Sequence, residues 1–145
     1  MKKTAIAPTN IAFIKYWGRK DEVLRLPTNG SVSMNLSGLS TTTTVEFDKK
    51  YSKDEVIING FQNEKESLRV TKHLDRIRNL AHISEKAKVV SNNNFPSATG
   101  LSSSASGFAA LSVAGSSAAG LKLDTKELSI LARQVSGSAC RSIPD

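Results

Sequence analysis

The chain has 145 residues, enough for one domain with a real core and too few for two comfortable ones. Its net charge of +7 favours an anionic partner, but the only adjacent basic pairs are Lys2-Lys3, Arg19-Lys20 and Lys49-Lys50, so no basic tail exists. Cys140 is the only cysteine, which excludes an internal disulfide and fits a reducing, cytoplasmic setting. No apolar run is long enough to span a membrane, and the N-terminus lacks the apolar core of a signal peptide.

From Thr4 to Asp21 the pattern predicts a strand kinked at Pro8, because proline removes a ladder donor. Ala5, Ile6, Ala7, Ile11, Ala12, Phe13 and Ile14 look like core residues. Lys15, Tyr16 and Arg19 among them make a candidate anion-binding cluster of ammonium, phenol and guanidinium. An aromatic anchor flanked by solvated charges is the competing reading.

Leu26-Pro27-Thr28-Asn29-Gly30 is turn chemistry. Two alternating segments follow, Ser31 to Leu36 with Val32, Met34 and Leu36 on one face, and Thr41 to Phe47 with Thr43, Val45 and Phe47 on one face. Glu55 to Ile58 adds a short apolar strand ending at Asn59-Gly60, and together these predict an antiparallel meander. Glu64 to Ile83 has helical periodicity, with Val70, Leu74, Ile77 and Ala81 buried and Arg69, Lys72, Asp75, Arg76 and Arg78 turned away. His73 and His82 are not at metal-ligand spacing and are read as structural or solvent-facing. Lys86 to Ser91 is a further strand.

It leads into Asn93-Asn94-Phe95-Pro96-Ser97-Ala98-Thr99-Gly100-Leu101-Ser102-Ser103-Ser104-Ala105-Ser106-Gly107. Pro96 holds Phe95 extended and Gly100 permits a tight turn, so a helix is expected from about Leu101. Leu101, Ala105, Phe108, Leu111, Gly115, Ala118 and Leu121 form its stripe. Unpaired N–H groups of the first turn and hydroxyls on Ser102, Ser103, Ser104 and Ser106 suit an anion such as a nucleotide phosphate. The spacing is neither that of a Walker loop nor of a dinucleotide fingerprint. A Ser/Gly-rich run is as often a linker, but linkers do not run straight into a core-facing helix.

Asp124, with Glu127 three residues on, predicts a capped helix burying Leu128, Leu131, Ala132 and Val135. Ser136-Gly137-Ser138-Ala139-Cys140-Arg141-Ser142 follows, a small hydroxyl-rich turn carrying one guanidinium. Arg141 suits a bidentate grip on carboxylate or phosphate, and composition alone allows an exposed arginine equally well. Cys140 reads as a small buried hydrophobe rather than a nucleophile.

Three of these stretches carry a resemblance: Ala7-Pro8-Thr9-Asn10-Ile11-Ala12-Phe13-Ile14-Lys15-Tyr16-Trp17-Gly18-Arg19, the run from Asn93 to Ala105, and Gly137-Ser138-Ala139-Cys140-Arg141-Ser142. The chain resembles the N-terminal half of the mevalonate diphosphate decarboxylase family, within the superfamily of galactokinase, homoserine kinase, mevalonate kinase and phosphomevalonate kinase. The resemblance implies an α+β fold, a mixed sheet with helices on one side and a left-handed crossover, in one ATP-binding N-terminal domain over residues 1–145.

It implies ATP and Mg²⁺ as cofactors and mevalonate 5-diphosphate as substrate, phosphorylated on its tertiary hydroxyl and then decarboxylated to isopentenyl diphosphate. By position, Pro96, Gly100, Leu101, Ser102, Ser103, Ser104 and Ala105 would line the ATP site, with Ser103 or Ser104 reaching the metal. Lys15, Tyr16, Arg19, Ser136, Ser138 and Arg141 would meet the substrate, with Asn10 orienting Arg141, and Asn10, Lys15 and Arg141 would form the catalytic set. Dimerisation is a family-level expectation, and neither nucleic acid nor membrane is an expected partner.

Two departures stand out. Arg19 replaces the family's usual lysine, and the family's aspartate beside the tertiary hydroxyl belongs to a C-terminal half. None of Asp21, Asp48, Asp54, Asp75, Asp124 or Asp145 sits in a matching context. The chain is therefore expected to be a fragment, inactive alone, with exposed apolar surface. A decarboxylase of mevalonate 5-phosphate, a kinase that stops at the 3-phosphate, and a basic RNA-binding module are the alternatives on the same scaffold. Against the last, the sheet segments offer no aromatic stacking row and the basic residues form no stripe.

Overall fold

In the computed structural model, residues 1–15, 18–96 and 103–143 are described. The secondary structure runs β1 (Lys2–Ile14), β2 (Arg19–Asp21), β3 (Leu26–Pro27), β4 (Val32–Phe47), β5 (Glu55–Ile58), α1 (Glu64–Ala81), β6 (Ala87–Asn93), α2 (Ser103–Ala118), α3 (Thr125–Arg133) and a 3₁₀ turn, η1 (Ala139–Ser142). The main sheet has the order β1-β4-β6-β5, and β2 and β3 form a separate hairpin. The architecture is α+β, as expected.

The sheet is not a meander. β6 lies between β4 and β5, antiparallel to β4 and parallel to β5. A parallel pair needs a crossover, and α1 supplies it between β5 and β6. Local alternation identifies a strand but carries no information about its neighbour, so the pairing order differs from the expected meander.

The two alternating segments, Ser31–Leu36 and Thr41–Phe47, also fall on one strand, β4, which starts just after Ser31. β4 pairs with β1 from Lys2↔Glu46 to Pro8↔Ser40, and again from Asn10↔Asn35 to Ile14↔Val32. Residues 36–39 form the extra length between these registers, with Gly38 at φ +86°. Asn94 secures that bulge: its Nδ2 donates to Gly38 O at 2.8 Å and its Oδ1 accepts from Ser40 N at 2.9 Å. A bulge redirects side chains. Beyond it, β1 and β4 project as a two-stranded arm.

The arm changes the fate of the apolar residues expected in the core. Ala7 is buried, but Ile11, Phe13, Ile14, Val32 and Met34 on the arm are exposed, Phe13 by 66% and Met34 by 50%, as is Ile6 ahead of the bulge. Core formation instead falls to the opposite face of the sheet, where Val45, Phe47, Val56, Ala87 and Val89 pack with the helices.

α2 is the central element, touching β1, β4, β6, α1, α3 and η1. Rather than a stripe, it is buried nearly all round, from Ala105 and Ser106 through Phe108–Ser112 to Ala114–Ser116 and Ala118. Small residues allow this, since they let neighbouring elements approach closely. A Cβ on Gly115 would stand 2.7 Å from Ile77 Cδ1 of α1. α2 ends before Leu121, at Gly120 with φ +85°, where Leu121 N–H reaches Ser116 O and Gly120 N–H reaches Ser117 O. That is a Schellman closure, which glycine favours because the left-handed conformation costs it nothing.

α1 begins at Asn63, whose side chain accepts from Glu66 N, and closes at His82 in the left-handed region. Arg78 was expected to face away from the core and is instead buried. It donates to both oxygens of Asp54 at 3.0 and 2.8 Å and to Asp75 at 2.6 Å, while Asp54 also accepts from Ala87 N. Burial opposes the arginine's charge, but the two carboxylates more than offset it and leave its pKa raised. This knot ties α1 to the start of β6. His73 is fully buried and structural. α3 is capped as expected, with Asp124 and Glu127 bonded reciprocally and Leu131 and Ala132 buried. Among the described residues no helix is long and apolar enough to cross a membrane.

Candidate functional site

Two features built on α2 and the β1/β4 arm have the makings of a site. The first is a groove of about 380 Å³ between α1, α2 and the sheet. Ile58, Phe61, Val70, Val89, Phe108 and Leu111 give it apolar walls, and Asn59, Asn63, Asn93, Ser91, Ser103 and Ser104 give it a polar rim. Its size and mixed lining suit a small organic ligand. Ser103 and Ser104 reach it because they open α2, where the first turn carries no acidic residue to repel an anion. Gly107 follows one turn on, and a Cβ there would meet nothing within 4 Å.

Arg69 is the arginine of that lining. It was expected to turn away from the core, yet its guanidinium lies 4.8 Å over the Phe108 ring and is held by both oxygens of Glu66 at 3.1 Å. A cation over an aromatic face is attracted by the ring quadrupole, so the long side chain lies down along the groove instead of extending into solvent. Periodicity ranked Arg69 by its charge, and of the groove only the stretch around Ser103 and Ser104 had a sequence signature, its α1 and β5 walls having none.

The expected loop residues divide. Gly100, Leu101 and Ser102 lie outside the described residues. Pro96, the last described residue ahead of them, is exposed, and Phe95 is buried. Ala105 is fully buried, which closes its side chain to solvent. Ser106 is also fully buried and bonds Thr41 Oγ1 at 2.6 Å, so its hydroxyl is not a donor for an outside anion. Of the expected hydroxyls among the described residues, Ser103 and Ser104 remain available.

The second feature is the environment of Arg141. Asn10, only 1% exposed, sits where β1 enters the arm. Its Nδ2 donates to Ser142 Oγ at 2.7 Å and to Ser138 O at 3.2 Å, clamping η1 against β1. Its Oδ1 accepts from Arg141 Nε at 3.4 Å, and Arg141 Nη1 donates to Ser31 Oγ at 3.1 Å. Residues more than a hundred positions apart thus converge on one guanidinium. Ser136 and Ser138 lead into the turn with their hydroxyls 3.3 Å apart.

Lys15 is exposed at the end of β1 and makes no bond to a described residue. Arg19 donates to Glu22 at 2.7 Å on the surface, and Tyr16 lies outside the described residues. Gly18 of the same stretch is packed on Thr28, whose N–H donates to its carbonyl at 3.1 Å; a Cβ there would stand 2.8 Å from Thr28 Oγ1. Cys140 is half-buried, and burial pushes its thiol pKa up, which disfavours the thiolate a nucleophile needs.

The aspartates have structural work elsewhere. Asp21 accepts from Leu24 N, Asp48 from Lys50 N, Asp54 and Asp75 hold Arg78, and Asp124 caps α3. Asp145 lies outside the described residues. Among the described residues no group of three His, Cys, Asp or Glu could hold a metal ion.

Comparison with known proteins places the whole chain in a family. Among curated proteins, the diphosphomevalonate decarboxylase of Candida albicans is 44% identical over 94% of this chain, and that of Bos taurus 40% identical over 97%. A solved mevalonate diphosphate decarboxylase from Enterococcus faecalis is 51% identical and superposes with a TM-score of 0.92 over 98% of this chain; one from Staphylococcus aureus is 45% identical with a TM-score of 0.90. A further match, also at 0.92, is MDDEF in complex with MVAPP, AMPPCP and magnesium. The chain spans 41% of the Candida protein, 38% of the bovine one and 44% of the Enterococcus chain. The sequence model of the diphosphomevalonate decarboxylase-like N-terminal domain matches residues 7–145, and the chain belongs to that family.

Proposed function

We infer that this chain is the N-terminal part of an ATP-dependent diphosphomevalonate decarboxylase, which phosphorylates the tertiary hydroxyl of mevalonate 5-diphosphate and releases phosphate and carbon dioxide to give isopentenyl diphosphate. The observation that carries the reading is the pairing of a nucleotide-sized groove at the start of α2 with an arginine held in place by a buried asparagine.

The groove fits a nucleotide. Its apolar walls suit a base, and Ser103 and Ser104 stand at a helix N-terminus, where phosphate oxygens find unpaired N–H donors. A magnesium ion fits as a passenger on those phosphates with Ser103 or Ser104 beside it, because the described residues build no carboxylate cage. Bound there, it would neutralise charge on the transferred phosphoryl group. Arg141 would hold the substrate carboxylate with Asn10 fixing the guanidinium, and Ser136 and Ser138 would lie beside it. Lys15, Tyr16 and Arg19 would meet the diphosphate end. As a tertiary alcohol leaves poorly until it is phosphorylated, nucleotide and acid must be held side by side. The group that takes the hydroxyl proton is not matched by any aspartate here. Cytoplasmic residence, supported by the single cysteine, and homodimerisation of the longer protein belong to the same reading.

The test is coupled ADP release, with product identification, on the longer protein that carries this chain. Isopentenyl diphosphate formed only with ATP, magnesium and mevalonate 5-diphosphate supports the reading. Turnover of the monophosphate alone, or a stable 3-phosphate product, overturns it.

A further inference from the structure

Arg141 is held at two points, and the second had no signal in the sequence. Nε donates to Asn10 Oδ1 at 3.4 Å, near the outer limit for a hydrogen bond, whereas Nη1 donates to Ser31 Oγ at 3.1 Å. Nη2 has no partner among the described residues. One weak contact at Nε leaves the guanidinium plane able to turn about the Cδ–Nε bond. A second contact at Nη1 removes that rotation and so decides where Nη2 points.

Ser31 reaches this place through strand register. It directly precedes β4, whose Val32 pairs with Ile14 and whose Ser33 pairs with Ala12. Alternation along a strand then sets Ser31 on the side of Ser33, opposite Val32 and Met34, which are exposed on the outer face. The chemistry of the contact matters equally. A neutral hydroxyl accepts a hydrogen bond from the cation without cancelling its charge, as a carboxylate at the same position would. The guanidinium is oriented and remains a full cation for an anionic ligand.

We propose that Ser31 is a positioning residue for Arg141, locking the guanidinium plane so that Nη2 is presented to the substrate carboxylate. This rests on the reading of Arg141 given above, and it is tested at two levels. In residues 1–145, nitrogen-15 spectra of the arginine side chains report on Arg141 Nε–H directly, without any ligand. Ser31→Ala raises its exchange with solvent about tenfold and Ser31→Thr restores the wild-type rate.

In the longer protein, Ser31→Ala lowers kcat/KM for mevalonate 5-diphosphate by about tenfold to a hundredfold with the KM for ATP unchanged, and Ser31→Thr recovers most of it. In an Arg141→Lys background Ser31→Ala has no further effect. An unchanged Nε–H exchange in Ser31→Ala, or an equal loss of activity in the Arg141→Lys background, overturns the proposal. If the wild-type protein does not turn over mevalonate 5-diphosphate at all, the proposed function falls, and the exchange measurement alone decides the role of Ser31.

Discussion

Asn10 and Arg141 meet through Oδ1 and Nε at 3.4 Å while the amide nitrogen of the same asparagine donates to Ser142 Oγ at 2.7 Å. One buried side chain therefore both orients the guanidinium and fastens the turn that carries it. Asn10→Ala removes partners from Ser138 O and Ser142 Oγ and should destabilise the chain by about 2–3 kcal/mol. Urea unfolding measures this, and an unchanged midpoint would mean that Asn10 contributes nothing to holding η1.

Arg78 is enclosed by Asp54 and Asp75, with only 5% of its side chain exposed against 4% for Asp54. Removing one member of a buried pair strands the other charge. Asp54→Ala should cost about 3–5 kcal/mol, whereas Asp75→Ala, whose carboxylate is 54% exposed, should cost about 1 kcal/mol or less. Equal losses in the two variants would contradict this ordering.

His73 offers a pH prediction. Ser112 Oγ donates to Phe108 O at 2.7 Å and so accepts from His73 Nε2 at 2.8 Å, leaving the proton on Nε2. Burial, aided by Arg76, lowers the His73 pKa to about 3. Between that value and the ordinary value of 6.5 the unfolded chain binds a proton that the native chain refuses, so stability falls as pH falls. The slope is about 1.4 kcal/mol per pH unit, or about 2 kcal/mol from pH 6.5 to 5. His73→Leu should flatten this dependence whatever its effect at neutral pH, as comparison of denaturation at pH 7.5 and 5.0 would reveal.

Gly115 lies where α2 packs tightly on α1, with Ile77 Cδ1 2.7 Å from where a Cβ would lie. Gly115→Val should cost about 1–3 kcal/mol through overpacking, despite relieving the poor helix propensity of glycine. Pairing it with Ile77→Ala should return part of the loss. A double variant that is simply additive would show that the two side chains do not compete for the same space.

The outer face of the arm presents Ile11, Phe13, Val32 and Met34 to solvent. Residues 1–145 alone should release no ADP with mevalonate 5-diphosphate and should bind an apolar fluorescent dye, while Phe13→Ser with Met34→Ser should reduce the dye signal by about half or more. A dye-silent wild-type chain would count against that surface being exposed in solution.

Much of this molecule was legible locally. Asp124 and Glu127 announced the start of α3, the alternation of Thr43, Val45 and Phe47 announced a buried strand face, and the motif stretches around Lys15, Ser103 and Arg141 announced the family. Capping, alternation and short motifs depend on neighbours a few residues apart, and a sequence displays those directly. Beyond the pairing of Asn10 with Arg141 that the resemblance implied, only the tertiary structure decided how distant segments meet: β6 between β4 and β5, the exposure of the arm's apolar residues, the burial of Arg78 between two aspartates, the folding of Arg69 over Phe108, and the second hold of Ser31 on Arg141. Each is set by which surfaces meet once the chain closes. Residue type constrains what a contact costs, but partners separated by a hundred residues are chosen by packing, and no local pattern encodes that choice.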